Sequence, residues 1–365
     1  MKIRDICSSV TDGSHNPPKG IENSKYMMLS SKNVYDDEIT FDEPRFLLKD
    51  DFEREHKRTK ISEGDVLLTI VGTIGRAAVV DKDMPTFTLQ RSVAVLHPKK
   101  DICSARFLMY ALRGKKTYVE NRAKGVAQKG IYLSEVSDID IQIPELSEQA
   151  VIVEKLDRVS NIIKFRQQEL LDLDNLIKAR FVELFGDPVS NSYGLPEATL
   201  PELGEFGRGI SKHRPRNDSE LLGGEYPLIQ TGDVANAGLY ITSYNSTYSE
   251  LGLKQSKMWE KGTLCITIAA NIAKTAILTF DACFPDSVVG FTANEKTNNI
   301  FIHYWFLFFQ AILESQAPES AQKNINLKIL SELRVIVPEK EKQDEFVDFI
   351  KQVDKSKVAV QKLFE

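Results

Sequence analysis

The sequence predicts an α+β fold, in which two repeated sheet-containing globular domains are separated by long helices that form an antiparallel, pseudo-twofold coiled coil. Three observations support this fold class: a long internal repeat, β-rich alternating stretches in each copy, and a helical pattern at the end of each copy. The chain has 365 residues, of which 42% are hydrophobic and 27% charged. This length and composition favour two soluble domains over one.

The internal repeat extends over most of the chain. Three pairs of segments align, at offsets of 194, 198 and 200: residues 130–159 with 324–353, 63–76 with 261–274, and 25–34 with 225–234. Within the first pair, Pro144 falls over Pro338 and Gln149 over Gln343. The small drift in offset indicates short loop insertions between equivalent elements, so one unit is used twice.

Each copy has the same predicted order of elements. In the first copy Val66–Ile70 and Ile139–Ile143 are β-rich and are predicted strands. A helix lies inside each copy, over 105–112 in the first and over 302–313 in the second. After an Ile-Pro or Val-Pro pair, each copy ends in a helical pattern that opens with acidic residues.

The first long helix is predicted over 148–185, where apolar residues recur every three, four or seven positions. Gly186-Asp187-Pro188 then ends it. A second helix starts near Glu341, and the two apolar stripes predict the coiled coil. At ~1.5 Å per residue the first helix would be a rod of roughly 57 Å, with one domain at each end. The predicted boundaries are 1–147 and 188–340 for the domains, and 148–187 and 341–365 for the spacer helices.

Composition excludes several classes of protein. The four cysteines are scattered, without ligand spacing, which indicates neither a zinc site nor a disulfide framework. No apolar run reaches the ~20 residues of a membrane helix, and no signal segment opens the chain, so we expect no membrane partner and a cytoplasmic location. The net charge of -5 argues against indiscriminate coating of nucleic acid, but it permits a local basic surface.

Several segments carry a resemblance to a known family: K-I-R-D-I-C-S-S-V-T-D-G at the start, G-D-V-L-L-T-I-V-G-T-I-G-R, the Ile143-Pro144 to Gln149 segment, and F-G-D-P after the long helix. Together with the repeat, they resemble the specificity (S) subunit of type I restriction-modification systems over essentially the whole chain. The resemblance implies a non-catalytic subunit with two target recognition domains, one for each half of a split DNA sequence.

The resemblance also implies partners. One partner is double-stranded DNA. Two modification methyltransferase subunits would dock on the long helices, and restriction or translocase subunits would join them. No cofactor is expected on this chain, because S-adenosylmethionine, ATP and Mg would belong to the partner subunits.

Specific readout of DNA needs polar side chains on loops, flanked by Lys or Arg that neutralise phosphates. The first-copy candidates are His15, Asn16, Lys19, Ser31, Lys32, Asn33, Thr73, Arg76, Gln90, Arg91, Lys124, Gln128 and Lys129. The second-copy candidates are Arg208, Lys212, His213, Arg214, Arg216, Gln230, Thr231, Asn271, Lys274, Gln322, Lys323 and Asn324. By contrast, the charge-balanced run 49–60 is typical of a solvated helix or loop face.

Catalytic alternatives are poorly supported. Asn16-Pro17-Pro18 is part of the tetrapeptide that adenine methyltransferases use, but Lys19 stands where an aromatic residue is required. The G-x-x-G at 72–75 is replaced by A-x-x-A in the second copy, which argues against a cofactor turn. Nuclease, hydrolase and P-loop patterns are also missing. The remaining alternative to DNA recognition is a duplicated protein-interaction scaffold that does not bind DNA.

Overall fold

The computed structural model describes residues 1–124, 129–216, 218–269, 272–316 and 325–362, with the backbone alone over 311–316. The chain forms two compact units, Met1–Lys164 and Phe165–Glu365. The division falls inside a single long helix, so this helix contributes its first half to one unit and its second half to the other.

The first unit contains these elements in chain order: α1 Ile3–Ile6, β1 Cys7–Asp12, β2 Met27–Leu29, β3 Val34–Tyr35, β4 Glu38–Ile39, β5 Arg45–Phe46, α2 Lys49–Thr59, β6 Val66–Thr69, β7 Ala77–Val79, β8 Phe87–Leu89, β9 Val93–Pro98, α3 Ala105–Gly114, α4 Lys116–Arg122, α5 Leu133–Ser137 and the long helix α6 Leu146–Phe185. Its main sheet has the strand order β1-β9-β6-β7, and β5-β2-β8 and β3-β4 form two smaller sheets.

The main sheet of the first unit is buried on both faces. Leu68 of β6 packs in a cluster with α3, whereas its neighbour Leu67 packs on the opposite face against Phe87. A strand covered on both faces has no solvent-facing positions, so β6 is a continuous apolar run rather than an alternating one.

The second unit continues from the long helix with β10 Glu197–Ala198, α7 Leu200–Leu203, β11 Gly204–Arg208, a 3-10 helix Ser219–Leu221, β12 Leu222–Leu228, α8 Thr231–Ala235, β13 Tyr240–Ile241, β14 Ser246–Tyr248, α9 Glu250–Lys254, β15 Met258–Trp259, β16 Leu264–Thr267, β17 Thr275–Leu278, β18 Ala282–Cys283, β19 Val288–Ala293, α10 Asn299–Gln316, α11 Leu327–Glu332, β20 Val335–Ile336 and α12 Lys340–Gln361. Its main sheet, β11-β19-β16-β17-β13, repeats the order of the first unit with one added edge strand.

Matching hydrogen bonds confirm the repeat at the level of single side chains. Gln149 is fully buried and donates through Nε2 to the carbonyls of Ile102 and Pro144, at 2.8 and 2.9 Å. Gln343, at the aligned position, is also fully buried and donates to the carbonyl of Pro338 at 2.8 Å. In both copies the glutamine therefore anchors the start of a long helix to its own unit.

The second half of α6 packs against α12 in antiparallel orientation within the second unit. The Arg180 guanidinium lies 2.5 Å from the Glu345 carboxylate, and Lys357 lies 2.6 Å from Asp174. The predicted pairing of the two helices is therefore confirmed here. The long helix ends at Phe185 because Gly186 adopts φ +73°, a left-handed conformation that glycine reaches without strain.

One predicted strand is wrong. Ile139–Ile143 alternates in polarity but forms only an isolated bridge between Asp140 and Lys2, with Ile141 donating its N–H to the carbonyl of Met1. A β-strand needs a partner of similar length, and the chain segment beside this one enters helix α1 at Ile3. Among the described residues, no helix is both long and apolar enough to span a membrane.

Candidate nucleic-acid interface

Five loops of the first unit meet around Ser92. The Ser92 carbonyl accepts the N–H of Ile70 at 2.9 Å, and its hydroxyl accepts the N–H of Ser31 at 3.0 Å. Ile131 in turn donates its N–H to the carbonyl of Ile70 at 2.9 Å. We call this set the first loop cluster; it comprises residues 13–20, 29–33, 70–76, 89–92 and 129–131.

The first loop cluster is basic, although the chain as a whole is acidic. It has no Asp or Glu and five cationic side chains: Lys19, Lys32, Arg76, Arg91 and Lys129. Four of the five are exposed, and the half-buried Arg76 stacks over the ring of Tyr35 at 4.8 Å. Positive charge concentrated on connected loops is the arrangement that attracts a polyanion.

A buried carboxylate beside this cluster contacts His15 of the cluster and one side chain from helix α2. Asp12 has a side chain only 8% exposed; its Oδ1 accepts from Nη2 of Arg58 at 2.8 Å, and its Oδ2 lies 2.7 Å from Nε2 of His15. The loop 89–92 is attached to the loop 13–20, because Arg91 donates its N–H to the carbonyl of Ser14. Arg58 belongs to the run 49–60, for which the sequence predicted a solvated helix or loop face.

The second unit repeats this convergence around Ser287. The Ser287 carbonyl accepts the N–H of Ile268 at 3.0 Å, and Ile325 donates its N–H to the carbonyl of Ile268 at 3.0 Å. Ile229 donates its N–H to the carbonyl of Cys283 at 2.9 Å. The second loop cluster comprises residues 209–216, 228–231, 268–269, 272–274, 283–287 and 325.

Both loop clusters open with a glycine that no other residue could replace without movement of the backbone. A Cβ on Gly13 would lie 2.1 Å from the carbonyl oxygen of Leu89, and one on Gly209 would lie 2.4 Å from that of Phe284. This close approach places the segment after β1 against the end of β8, and the segment after β11 against the residues that follow β18.

The basic loop of the second cluster is held by side chains from elsewhere in the unit. The Asp286 carboxylate contacts Arg214 at 3.5 Å and also pairs with Arg216. Gln255 Oε1 accepts the backbone N–H of Lys212 at 2.6 Å. The three basic side chains nevertheless remain exposed, so they are available to an anion.

Asn33 and His213 are among the predicted residues whose side chains form contacts within the protein. Asn33 is buried, and its amide accepts the N–H of Ser30 and donates to the carbonyl of Asp42, so it stabilises its own turn. His213 lies 3.1 Å from Asp218. The N–H of Glu220 and then His213 lower the pKa of the Asp218 carboxyl below its usual value.

The other predicted residues occupy exposed or half-buried positions of these loops or directly beside them: Asn16, Thr73, Gln90, Lys124, Arg208, Gln230, Thr231 and Lys274. Lys124 lies 3.4 Å from Glu135, and Lys274 donates to Gln310 at 3.2 Å. The predicted residues Gln128, Asn271, Gln322, Lys323 and Asn324 lie outside the described residues.

Metal-ligand clusters and exposed thiols are absent from the part of the chain that the structure describes. Within that part, no group of three or more His, Cys, Asp and Glu side chains could hold a metal ion. The four cysteines are buried and free. Burial raises the pKa of Cys7 to about 12 and that of Cys103 to about 11, so neither forms a reactive thiolate near neutral pH.

Two copies of one sheet-containing unit, each with a basic loop cluster, are an arrangement suited to recognising a polyanion at two places. Residues 1–174 and 197–362 match the family model of the type I restriction modification DNA specificity domain. The chain therefore belongs to the specificity-subunit family, whose members are non-catalytic.

Individual relatives are distant. The chain is 26% identical over 188 residues to the specificity subunit of the EcoBI type I restriction enzyme from Escherichia coli, a match that covers 50% of this chain and 38% of the relative. It is 23% identical over 313 residues to a putative MjaX specificity subunit from Methanocaldococcus jannaschii, covering 80% of this chain and 72% of the relative. The chain thus spans well under half of the first relative and about three quarters of the second.

Solved structures share the fold. A type I S subunit from M. genitalium superposes with a TM-score of 0.55 at 14% identity, over 99% of this chain and 90% of that one. A structure concerned with assembly and conformational transition of the type I R-M system gives a TM-score of 0.56 at 16% identity, over 100% and 91%.

Proposed function

We propose that this chain is the sequence-specific DNA-recognition subunit of a type I restriction-modification complex and reads a bipartite target. The first loop cluster would read one half-site and the second loop cluster the other, with unread base pairs between them. The observation that carries the proposal is the first loop cluster, whose connected loops hold five cationic side chains and no acidic one in a chain of net charge -5.

In this proposal the basic side chains and the short polar ones have different tasks. Lysine and arginine neutralise phosphates and fix the register of the protein on the duplex, without reading sequence. Short side chains such as Asn16, Ser31 and Gln230 are exposed or half-buried on the same loops. Their donors and acceptors suit the hydrogen-bonding pattern of base edges in the major groove.

The remaining parts of the reaction would come from partner subunits. We propose that α6 and α12 dock two methyltransferase subunits, and that restriction or translocase subunits join this complex. S-adenosylmethionine, ATP and Mg would be bound by those partners, and the chain described here would direct their chemistry to its target.

The decisive experiment is DNA binding by this chain reconstituted with its methyltransferase subunits, measured over a series of salt concentrations. Neutralisation of phosphates makes the logarithm of the binding constant fall linearly with the logarithm of the salt concentration. Mapping of methylated adenines in cells that carry the complex should reveal one motif with two halves and a constant spacer. A complex without DNA affinity at low salt would instead favour the protein-interaction scaffold.

A further inference from the structure

The second unit contains an open groove whose lining residues, apart from Lys274, lie outside the loop clusters. Its volume is about 1230 Å³, and its walls come from the region between α8 and β13, from α10, and from the facing parts of α6 and α12. Apolar side chains such as Leu170, Leu239 and Leu307 line it, and five lysines and two aspartates reach it. The groove therefore combines an apolar floor with an excess of positive charge.

The equivalent place in the first unit is closed by a network of ion pairs. Asp37, on the turn between β3 and β4, contacts Arg106 of α3 at 3.1 Å and Lys164 of α6 at 3.3 Å. Arg106 also pairs with Asp157 of α6 at 2.5 Å, and the Tyr110 hydroxyl donates to the same carboxylate at 2.6 Å. The β3–β4 turn is thereby tied to both helices.

The two places are equivalent in the alignment and in the structure. Helices α3 and α10 begin in the same way, because Ser104 caps the N–H of Phe107 and Asn298, 194 positions later, caps the N–H of Phe301. Tyr110 aligns with Tyr304 at the same offset, and Tyr304 lines the groove.

The second copy has lost the charges that close the network. At an offset of 194, Val358 replaces Lys164 and Lys351 replaces Asp157. When the offset of 200 is continued three residues beyond the pair Val34 and Val234, Ala237 takes the place of Asp37; all three replacements line the groove. The wall between α8 and β13 therefore lacks the acidic turn, whereas the wall formed by α12 has gained Lys351.

We propose that this groove binds an acidic, partly apolar segment of the methyltransferase subunit, which supplies in trans the carboxylates that the first unit supplies from its own turn. The lysines on α6 and α12 complement carboxylates, and the apolar floor complements aliphatic or aromatic side chains. A DNA backbone would satisfy the lysines but would leave the apolar floor without a partner. The inference rests on the proposed function, because it names the surface that one partner of that complex uses.

The first test is cross-linking in the reconstituted complex with a carbodiimide, which joins lysine amines directly to carboxylates. We expect Lys351 and Lys355, both exposed on α12, to link to Asp or Glu of the methyltransferase subunit. A complex that forms without such links would overturn the inference. Protection of these two lysines by duplex DNA instead of by the methyltransferase would also overturn it, in favour of a nucleic-acid groove.

The second test uses two sets of variants in a titration of the methyltransferase subunit. Lys351→Glu/Lys355→Glu should weaken its binding at least about tenfold, because each glutamate would face the acidic segment. Ala237→Asp/Val358→Lys should introduce an ion pair equivalent to that of Asp37 and Lys164 in the first unit. This pair should block the groove, while the positive charge of the groove's own lysines is unchanged. Lys261→Glu/Lys328→Glu is the matched control, since both lysines are exposed in the second unit and neither lines the groove.

Failure of this inference can be separated from failure of the proposed function. If both groove variants bind the methyltransferase as tightly as the control does while the complex retains DNA affinity, the groove has no such role and the function stands. If the unmodified complex binds no DNA at low salt, the function itself fails. Circular dichroism and thermal melting of each variant show whether a loss of binding reflects unfolding.

Discussion

Arg214 and Arg216 offer the sharpest test of how the second loop cluster recognises DNA. Both side chains are exposed, and both contact Asp286, so the three groups together carry a net charge of +1. Replacing both arginines by alanine removes two cations and leaves the Asp286 carboxylate facing the duplex. We expect weaker binding at the half-site read by the second unit.

The magnitude follows from counterion release. Each phosphate neutralised contributes about 0.9 to the slope of log K against log salt concentration, so the double variant should lose about 1.8 from that slope. At 0.1 M salt this corresponds to a roughly 60-fold loss of affinity, or about 2.5 kcal/mol. Sequence preference at the half-site read by the first unit should not change, since the first loop cluster is untouched.

The assay is equilibrium binding of the reconstituted complex to duplexes with either half-site scrambled, from 50 to 200 mM salt. The matched control is Lys261→Ala/Lys328→Ala, which removes two exposed cations of the second unit outside the loop cluster. An unchanged slope in the arginine variant would refute the assignment of these side chains to phosphates. A change of preference at both half-sites would refute independent reading by the two units.

Three further perturbations test other parts of the structure. Arg58→Ala should reduce the slope of log K against log salt concentration by about 0.9, and it should weaken binding only at the half-site read by the first unit. If the variant binds every duplex as tightly as the unmodified complex does, Arg58 does not face DNA. Gln149→Ala leaves buried carbonyls without a donor and should lower the free energy of unfolding in urea by about 2 kcal/mol, whereas exposed Gln168→Ala should change it little. Burial lowers the pKa of His303 from 6.5 to about 4, so the unfolded chain takes up this proton first as the pH falls. The free energy of unfolding should therefore decline by about 3 kcal/mol between pH 6.5 and 4, and His303→Gln should flatten that decline; the same decline in the variant would exclude His303 as its source.

The long periodic elements could be predicted from the sequence because their signals are local and repeated. The helix predicted over 148–185 is observed over Leu146–Phe185, and Gly186 ends it as expected. The strand predicted over Val66–Ile70 from its β-rich composition is observed over Val66–Thr69. The DNA-contact residues remain predictions, although the structure brings most of the described ones together on connected loops.

Other features depend on partners that are distant in the chain. The alternation of Ile139–Ile143 resembles a strand, yet its neighbour in space enters a helix, so no ladder forms. Asn33 resembles an exposed polar strand end, but it is buried, and its amide accepts the N–H of Ser30 and donates to the carbonyl of Asp42. The local sequence pattern indicates which segments could form a strand and which polar side chains could contact a ligand. Burial and hydrogen bonding to distant residues decide which of them do.

The sequence by itself determined the duplication, the α+β class and the long helices, because these follow from periodicity and from alignment of the chain with itself, whereas the family was indicated by the resemblance of particular motifs. Only the tertiary structure decided that Arg58 joins His15 on Asp12, that Asp286 holds Arg214 and Arg216, and that one copy closes a groove the other leaves open. Apart from the contact between His15 and Asp12, these contacts join residues tens of positions apart, and no local pattern encodes which distant side chains a fold brings together.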